Sequence, residues 1–285
     1  MRVQAFAKIN LSLRVLGRRA DGYHELRTIF QSIALFDTLT IRRVRGPLRL
    51  TCSDPALPLD ERNLVWRAAD AMWKASGRKG TPQGVAVDLE KRIPIAAGLG
   101  GGSSDAAAVL RGLATLWRVD RTHLPAIAAA LGADVPYFLV GGTVLGVERG
   151  DLLYPLRDDP AMSVVLVIPD FGVSAAEAYA WLDADGVTRP ARPAVPRSSF
   201  VLPEPGNDLE APVARRHPEI ARIVSALNRV GAAHAAMSGS GSAVFGLFRA
   251  AAAAKTAAKA LSGHSRRVLV TRALDHAACR RLAAK

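Results

Sequence analysis

The residues best suited to chemistry in this chain stand in one uninterrupted run, Pro94-Ile95-Ala96-Ala97-Gly98-Leu99-Gly100-Gly101-Gly102-Ser103-Ser104-Asp105. A glycine-rich stretch set between a strand pattern and a helical one suits a phosphate cradle. Glycine lets the backbone approach an anion closely and reach torsions closed to other residues. The helix that follows turns its unpaired N–H groups and the positive end of its dipole on the same point. Ser103 and Ser104 can add hydroxyl donors or cap that helix. Two commoner phosphate signatures fail on spacing: a Walker loop needs a lysine that is missing here, and a dinucleotide fingerprint begun at Gly98 needs an acidic partner about twenty residues on and fits poorly. The bland alternative, a linker or a capped turn, sits badly between two well-formed elements.

The elements that would hold this loop can be read from periodicity. Phe6 to Val15 partly alternates and Thr38 to Val44 is rich in β-branched residues, so both are expected as strands, with a loop at Gly17 to His24. Asn63 to Ser76 spaces Leu64, Ala68, Ala71 and Met72 by three and four and stops at Gly77, which predicts a helix. Val85 to Leu89 reads as a strand, Ala106 to Trp117 as a helix with a Val109, Leu113, Leu116 stripe, and Thr122 to Leu131 as another. Beyond these, strands are expected at Gly141 to Val147, Ser163 to Ile168, Ala243 to Phe248 and Arg267 to Thr271. Helices are expected at Ala175 to Leu182, Glu219 to Val230 and Ala250 to Leu261. The composition changes around Arg157 to Pro160, the expected domain boundary, and the proline-studded stretch from Thr188 to Gly206 reads as an irregular connection.

Bulk properties bound the function class. With 285 residues, 49% of them hydrophobic, the chain can build a proper core. No apolar run approaches the roughly 18 residues that span a bilayer, and Met1-Arg2-Val3-Gln4 lacks a signal-peptide layout, so a cytoplasmic protein without a membrane partner is expected. Cys52 and Cys279 fit neither a disulfide framework nor a zinc spacing. Lys and Arg outnumber Asp and Glu by 38 to 25, a net charge of +13 that suits small anionic substrates. The basic residues are dispersed and aromatics total only 6%, which argues against nucleic acid.

The run PIAAGLGGGSS resembles the phosphate loop of the kinase superfamily that includes galactokinase, homoserine kinase and mevalonate kinase, the GHMP kinases. Other segments narrow the resemblance to its cytidyl-methylerythritol branch. These are Ala7-Lys8-Ile9-Asn10-Leu11, Arg19-Ala20-Asp21-Gly22-Tyr23-His24-Glu25-Leu26, Glu61-Arg62-Asn63-Leu64-Val65 and Leu131-Gly132-Ala133-Asp134-Val135-Pro136. Later in the chain come Gly206-Asn207-Asp208-Leu209 and the glycine-rich turn Ser238-Gly239-Ser240-Gly241-Ser242. The resemblance implies an α+β, two-domain GHMP kinase fold. Residues 1–157 would form an N-terminal domain of ribosomal S5 domain 2-like type with the phosphate loop and the catalytic residues. Residues 158–285 would form a ferredoxin-like α/β domain, with the active site in the cleft between.

The same resemblance implies an ATP-dependent kinase that phosphorylates the 2-hydroxyl of a cytidine diphosphate-linked methylerythritol, with ATP and Mg²⁺ as cofactors and a monomer or homodimer as the assembly. Asp134 would accept the hydroxyl proton and Lys8 would orient the acceptor and neutralise the phosphate. Pro94 to Ser104 would hold the phosphates, and Asn63 and Lys91 would contact the adenine nucleotide. An aromatic face can stack on a base and an imidazole can bond its edge, so Tyr23 and His24 would read the cytidine. Asn10 would touch the erythritol end, Tyr179 would face the cytosine from the other side, and Gly239 and Ser240 would shape the substrate side. Metal ligands cannot be chosen from the sequence. Alternatives are another GHMP-type kinase acting on homoserine or mevalonate, or a basic nucleic-acid-binding module whose loop only touches backbone phosphate.

Overall fold

The computed structural model of the chain describes residues 1–159, 162–186, 204–263 and 265–283, so the expected irregular connection after Thr188 lies, up to residue 203, outside the described residues. Two long strands open the fold. β1 (Arg2–Arg18) pairs antiparallel with β2 (His24–Pro47) in a register that sets Lys8 opposite Ser32 and Asn10 opposite Phe30. Both strands extend well past the expected cores at Phe6 to Val15 and Thr38 to Val44.

β2 is the spine of a seven-stranded sheet. Its later half pairs with β4 (Gln83–Glu90), which carries β3 (Arg49–Cys52) at the edge, and its earlier half pairs with β5 (Thr143–Glu148), followed by β6 (Leu152–Pro155). Helices α1 (Leu64–Ala75), α2 (Gly101–Trp117), α3 (Leu124–Leu131) and α4 (Val135–Val140) pack with this sheet. The core between them joins Met72, Val109, Leu110 and Leu113 to Leu39, Ile41, Val85 and Val87. The expected helix at Thr122 to Leu131 divides into a 3₁₀ turn, Arg121–His123, and α3.

The second sheet, β7 (Ser163–Pro169), β9 (His234–Met237), β10 (Val244–Phe248) and β11 (Arg266–Arg272), runs in the order β11-β7-β10-β9 with every neighbour antiparallel. With α5 (Ala175–Ala184), α6 (Glu210–Arg216) and α7 (Glu219–Arg229) after β7, and α8 (Ala251–Leu261) after β10, this is the ferredoxin-like arrangement expected. β7 shows why its sequence carries no polar alternation. Val165 and Val167 face the helices of this unit, while Val164, Leu166 and Ile168 face Ala7 and Ile9 of β1 and Ala97 and Leu99 of the glycine-rich segment. With side chains alternating across the strand and both faces covered, every position is apolar.

Two short pieces from the later half return to the first sheet. β8 (Gly206–Asn207) pairs in parallel with Ser12 and Leu13 of β1, and α9 (His276–Ala283) lays Ala278 and Cys279 against Phe6. The expected boundary near Arg157 falls between β6 and β7, but the chain beyond it thus completes both layers. Among the described residues no helix is long and apolar enough to cross a membrane.

One helix start is corrected. α2 begins at Gly101 rather than Ala106, inside the glycine-rich segment, because a first helical turn needs no side-chain packing and its free N–H groups suit that place. Its N-cap is Gly100 in the left-handed conformation, with no side-chain cap, so neither Ser103 nor Ser104 performs that task. α1 begins one residue after the expected Asn63, which caps it instead: Asn63 Oδ1 accepts from Val65 N at 2.9 Å and Nδ2 donates to Pro58 O at 2.8 Å. Asn63→Ala is expected to lose about 1 kcal/mol of stability in urea unfolding, the usual size of an N-cap.

Candidate active site

Lys8 and Asn10 lie two apart on β1, so their side chains share one face of the strand. Both are buried, and Lys8 Nζ donates to Asn10 Oδ1 at 2.7 Å. Asn10 Nδ2 in turn donates to Thr28 Oγ1 at 2.7 Å, and Thr28 Oγ1 donates to Ser12 O at 2.7 Å. This chain of bonds turns the carboxamide oxygen of Asn10 toward the ammonium. Lys8 Nζ also donates to Gly98 O at 3.0 Å and stands 3.7 Å from Asp134 Oδ2. One ammonium therefore bridges the glycine-rich loop and the carboxylate at the N-terminus of α4. Burial lowers the Lys8 ammonium below the usual lysine range, and the charge and hydrogen bond of Asp134 oppose that drop. The Asp134 side chain is 37% exposed against 4% for Lys8, so an incoming group can reach the carboxylate.

These groups line one cavity of about 550 Å³, together with every residue from Pro94 to Ser103. The loop is held from behind. Ser238 Oγ donates to Gly98 O at 3.0 Å, and Ala243 N donates to Ala97 O at 3.2 Å. The late glycine turn approaches closely, since a Cβ placed on Gly239 would stand 3.1 Å from Lys8 Nζ and 3.0 Å from Gly98 O. Asn207 fixes that turn by donating to Met237 O at 2.8 Å and Gly239 O at 2.7 Å, and Asp208 anchors the preceding bend through Arg14 at 2.7 Å. The Gly206 to Leu209 segment thus positions the loops without facing the cavity with a reactive group of its own.

The remaining sequence candidates divide. Asn63, Lys91, Asn10, Tyr179, Gly239 and Ser240 all line the cavity. Lys91 is not free, however: its ammonium donates to Asp37 Oδ2 at 2.5 Å and to Asp105 Oδ2 at 2.7 Å, and Asn63 has both ends of its amide occupied at the helix cap. Ser104 is turned away, buried and donating to Phe6 O at 2.7 Å. His24 stacks on Tyr179 with ring centres 4.6 Å apart and bonds Asp183 Oδ1 at 2.9 Å. Tyr23 is 54% exposed outside the cavity wall, under the Arg149 guanidinium at 5.1 Å. Burial raises the Tyr179 phenol.

Sequence reasoning missed Thr28 and Arg149, which line the cavity, and the buried Asp37 behind the loop, and it placed Asp105 in the glycine-rich run without a role. Thr28 could have been found as a polar residue in a strand-forming run. Arg149 lies in an ordinary surface turn and carries no local signal. Among the described residues no group of three or more His, Cys, Asp or Glu could hold a metal ion. A divalent ion would have to arrive with phosphate oxygens as part of its shell.

Known proteins resemble this chain in sequence and fold. Residues 63–142 match the GHMP kinases N terminal domain and residues 192–265 match the GHMP kinases C terminal. A 4-diphosphocytidyl-2-C-methyl-D-erythritol kinase from Moorella thermoacetica is 44% identical over 282 residues, covering 95% of this chain and 98% of the relative. One of the same description from Solibacter usitatus is 47% identical, covering 87% and 81%. A crystal structure of 4-(cytidine 5'-diphospho)-2C-methyl-D-erythritol kinase superposes with a TM-score of 0.78 at 38% identity, over 96% of this chain and 99% of that one. A mevalonate kinase, at 14% identity and a TM-score of 0.67 over 96% and 99% of the two chains, shares the fold.

Proposed function

The chain belongs to the 4-diphosphocytidyl-2-C-methyl-D-erythritol kinases of the GHMP family, and on that premise we propose that its cavity transfers the γ-phosphoryl group of ATP to the 2-hydroxyl of 4-diphosphocytidyl-2-C-methyl-D-erythritol, a step in non-mevalonate isoprenoid synthesis. The observation that carries this reading is the double engagement of Lys8, with Gly98 on the phosphate loop and with Asp134 at the N-terminus of α4.

In this reading the triphosphate lies along Gly98 to Gly102, where the first-turn N–H groups of α2 and its dipole favour negative charge. The acceptor hydroxyl sits between Asp134 and Lys8. As its oxygen attacks the γ-phosphorus, the hydroxyl proton passes to the Asp134 carboxylate, the new O–P bond forms, and the bond to the β-phosphate oxygen breaks to release ADP. The Lys8 ammonium, buried and held between Gly98 and Asp134, offsets the negative charge on the transferring oxygens. Mg²⁺ bound to the triphosphate would neutralise further charge there, and the described residues hold no ready-made ligand cluster for it.

Tyr179, which lines the cavity and is backed by the His24 imidazole that Asp183 holds, offers a flat surface suited to a pyrimidine. Tyr179→Ala is expected to raise the KM for the cytidyl substrate roughly tenfold or more, the usual range for losing one base stack, with the KM for ATP unchanged. Steady-state kinetics with each substrate varied in turn checks this. The activity itself is tested by incubating the protein with ATP, Mg²⁺ and 4-diphosphocytidyl-2-C-methyl-D-erythritol. ADP should appear only when all are present, and folded protein that forms no ADP refutes the proposal.

A further inference from the structure

Behind the phosphate loop lies a buried charge cluster that the transfer chemistry does not use. Lys91, just past β4, extends its ammonium between Asp37 of β2 and Asp105 of α2, and both carboxylates are at most 2% exposed. One ammonium facing two carboxylates leaves a negative charge over if both ionise. The donors are unevenly shared. Asp37 accepts from Lys91 Nζ, Arg92 N and Ile93 N, so both of its oxygens are occupied. Asp105 accepts from Lys91 through Oδ2 alone, and its buried Oδ1 has no partner among the described residues. An ionised oxygen without a donor in a dry setting is costly, so Asp105 is where a proton fits.

We propose that Asp105 is a positioning residue whose proton is linked to nucleotide binding: the loop binds nucleotide best with Asp105 protonated, and losing that proton weakens binding. The inference rests on the reading of the loop as an ATP site. Asp105 stands one turn into the helix whose first N–H groups face the phosphates, and Lys91 and Asp105 both line the cavity. Lys91 Nζ lies 3.2 Å from where a Cβ on Gly101 would be, so the cluster touches the start of the helix directly. A carboxylate appearing at that point opposes the triphosphate through a medium that screens poorly. By reciprocity, a bound anion draws a proton onto Asp105.

Burial raises the Asp105 carboxyl, Lys91 opposes the rise and Asp37 adds to it, leaving the group at about 8. Cys52 on β3 is the further titratable group coupled to it, and burial raises its thiol. α1 turns Val65, Ala68 and Ala69 inward and brings no charge, and Lys8 of β1 faces Gly98 and Asp134 instead. The sign follows. Below about pH 7 Asp105 already holds its proton and binding is pH-independent on its account. As pH rises past the free-protein value, binding must take up a proton and affinity falls.

The test is calorimetric titration of the full chain with ADP at about pH 7 and about pH 9, each in two buffers of unlike ionisation enthalpy, so that the proton count is read directly. The expected result at the higher pH is uptake of about 0.4 proton and an ADP Kd about fivefold weaker, which is what a one-unit rise of a carboxyl at about 8 produces on binding. Folded Asp105→Asn should show neither. ADP binding with no proton uptake by the wild type overturns the inference and leaves the nucleotide site intact. Uptake that persists in Asp105→Asn assigns the proton elsewhere and also overturns it. If that variant does not fold, the pH course of the wild-type uptake decides: uptake that sets in around pH 8 supports the assignment, and uptake with any other onset overturns it. Absence of ADP binding at both pH values instead defeats the reading of the loop.

Discussion

Asp134→Asn is expected to lower kcat by roughly 10²- to 10⁴-fold, the usual contribution of a general base, while ADP binding is retained. Asparagine keeps the size and the hydrogen-bonding reach of the side chain but cannot accept the hydroxyl proton at neutral pH. The loop that holds phosphate is anchored independently, by Ser238 and Ala243, so the substitution leaves it in place. A secondary effect has a definite sign. Asp134 supports the charged form of buried Lys8, and without it desolvation pulls the ammonium further down. The residual activity of the variant should therefore fall away at lower pH on the alkaline side than that of the wild type. Rapid-mix measurement of a single turnover separates the chemical step from ADP release. An unchanged chemical step would remove Asp134 from the role of base.

Gly98→Ala is expected to cost about 2–5 kcal/mol of stability and to abolish measurable nucleotide binding. Gly98 has φ +71, and a Cβ there would stand 1.9 Å from Ser238 O and 2.9 Å from Gly241 N, both backbone atoms that cannot swing aside. The left-handed torsion contributes about 1–2 kcal/mol, and forcing two loops apart adds about 1–3 kcal/mol. Gly80→Ala is the control, because Gly80 has φ +71 with nothing within 4 Å of the built Cβ. That variant should show the torsional cost alone and bind ADP normally. Equal losses for the two would mean that the contact between the loops carries none of the effect.

The sequence made the phosphate loop legible because a cradle built from backbone must be written in glycine, and it made the secondary structure legible where one face alone is buried. It was least legible where side chains answer to distant partners. Ser103 and Ser104 are neighbours of identical type, yet only Ser103 lines the cavity, because the helical rotation between them carries Ser104 toward Phe6. Lys91 reads as a lysine free for a nucleotide until Asp37 and Asp105, far apart in the chain, are brought to its ammonium by the sheet and α2. Tyr23 and His24 are adjacent and so point apart, which sends His24 to Tyr179 and leaves Tyr23 beside Arg149. The placement of α9 on β1 has no counterpart in local pattern at all, since it depends on a few small apolar residues meeting Phe6.

In the proposed reaction the glycine loop, Lys8 and Asp134 enclose a single place where a triphosphate meets an alcohol. A crystal structure with a non-hydrolysable ATP analogue and 4-diphosphocytidyl-2-C-methyl-D-erythritol tests it most directly. The terminal phosphate is expected over Gly98 to Gly102 and the acceptor hydroxyl within about 3 Å of both the Asp134 carboxylate and Lys8 Nζ. A triphosphate seated elsewhere, or an acceptor hydroxyl directed away from Asp134, would contradict it.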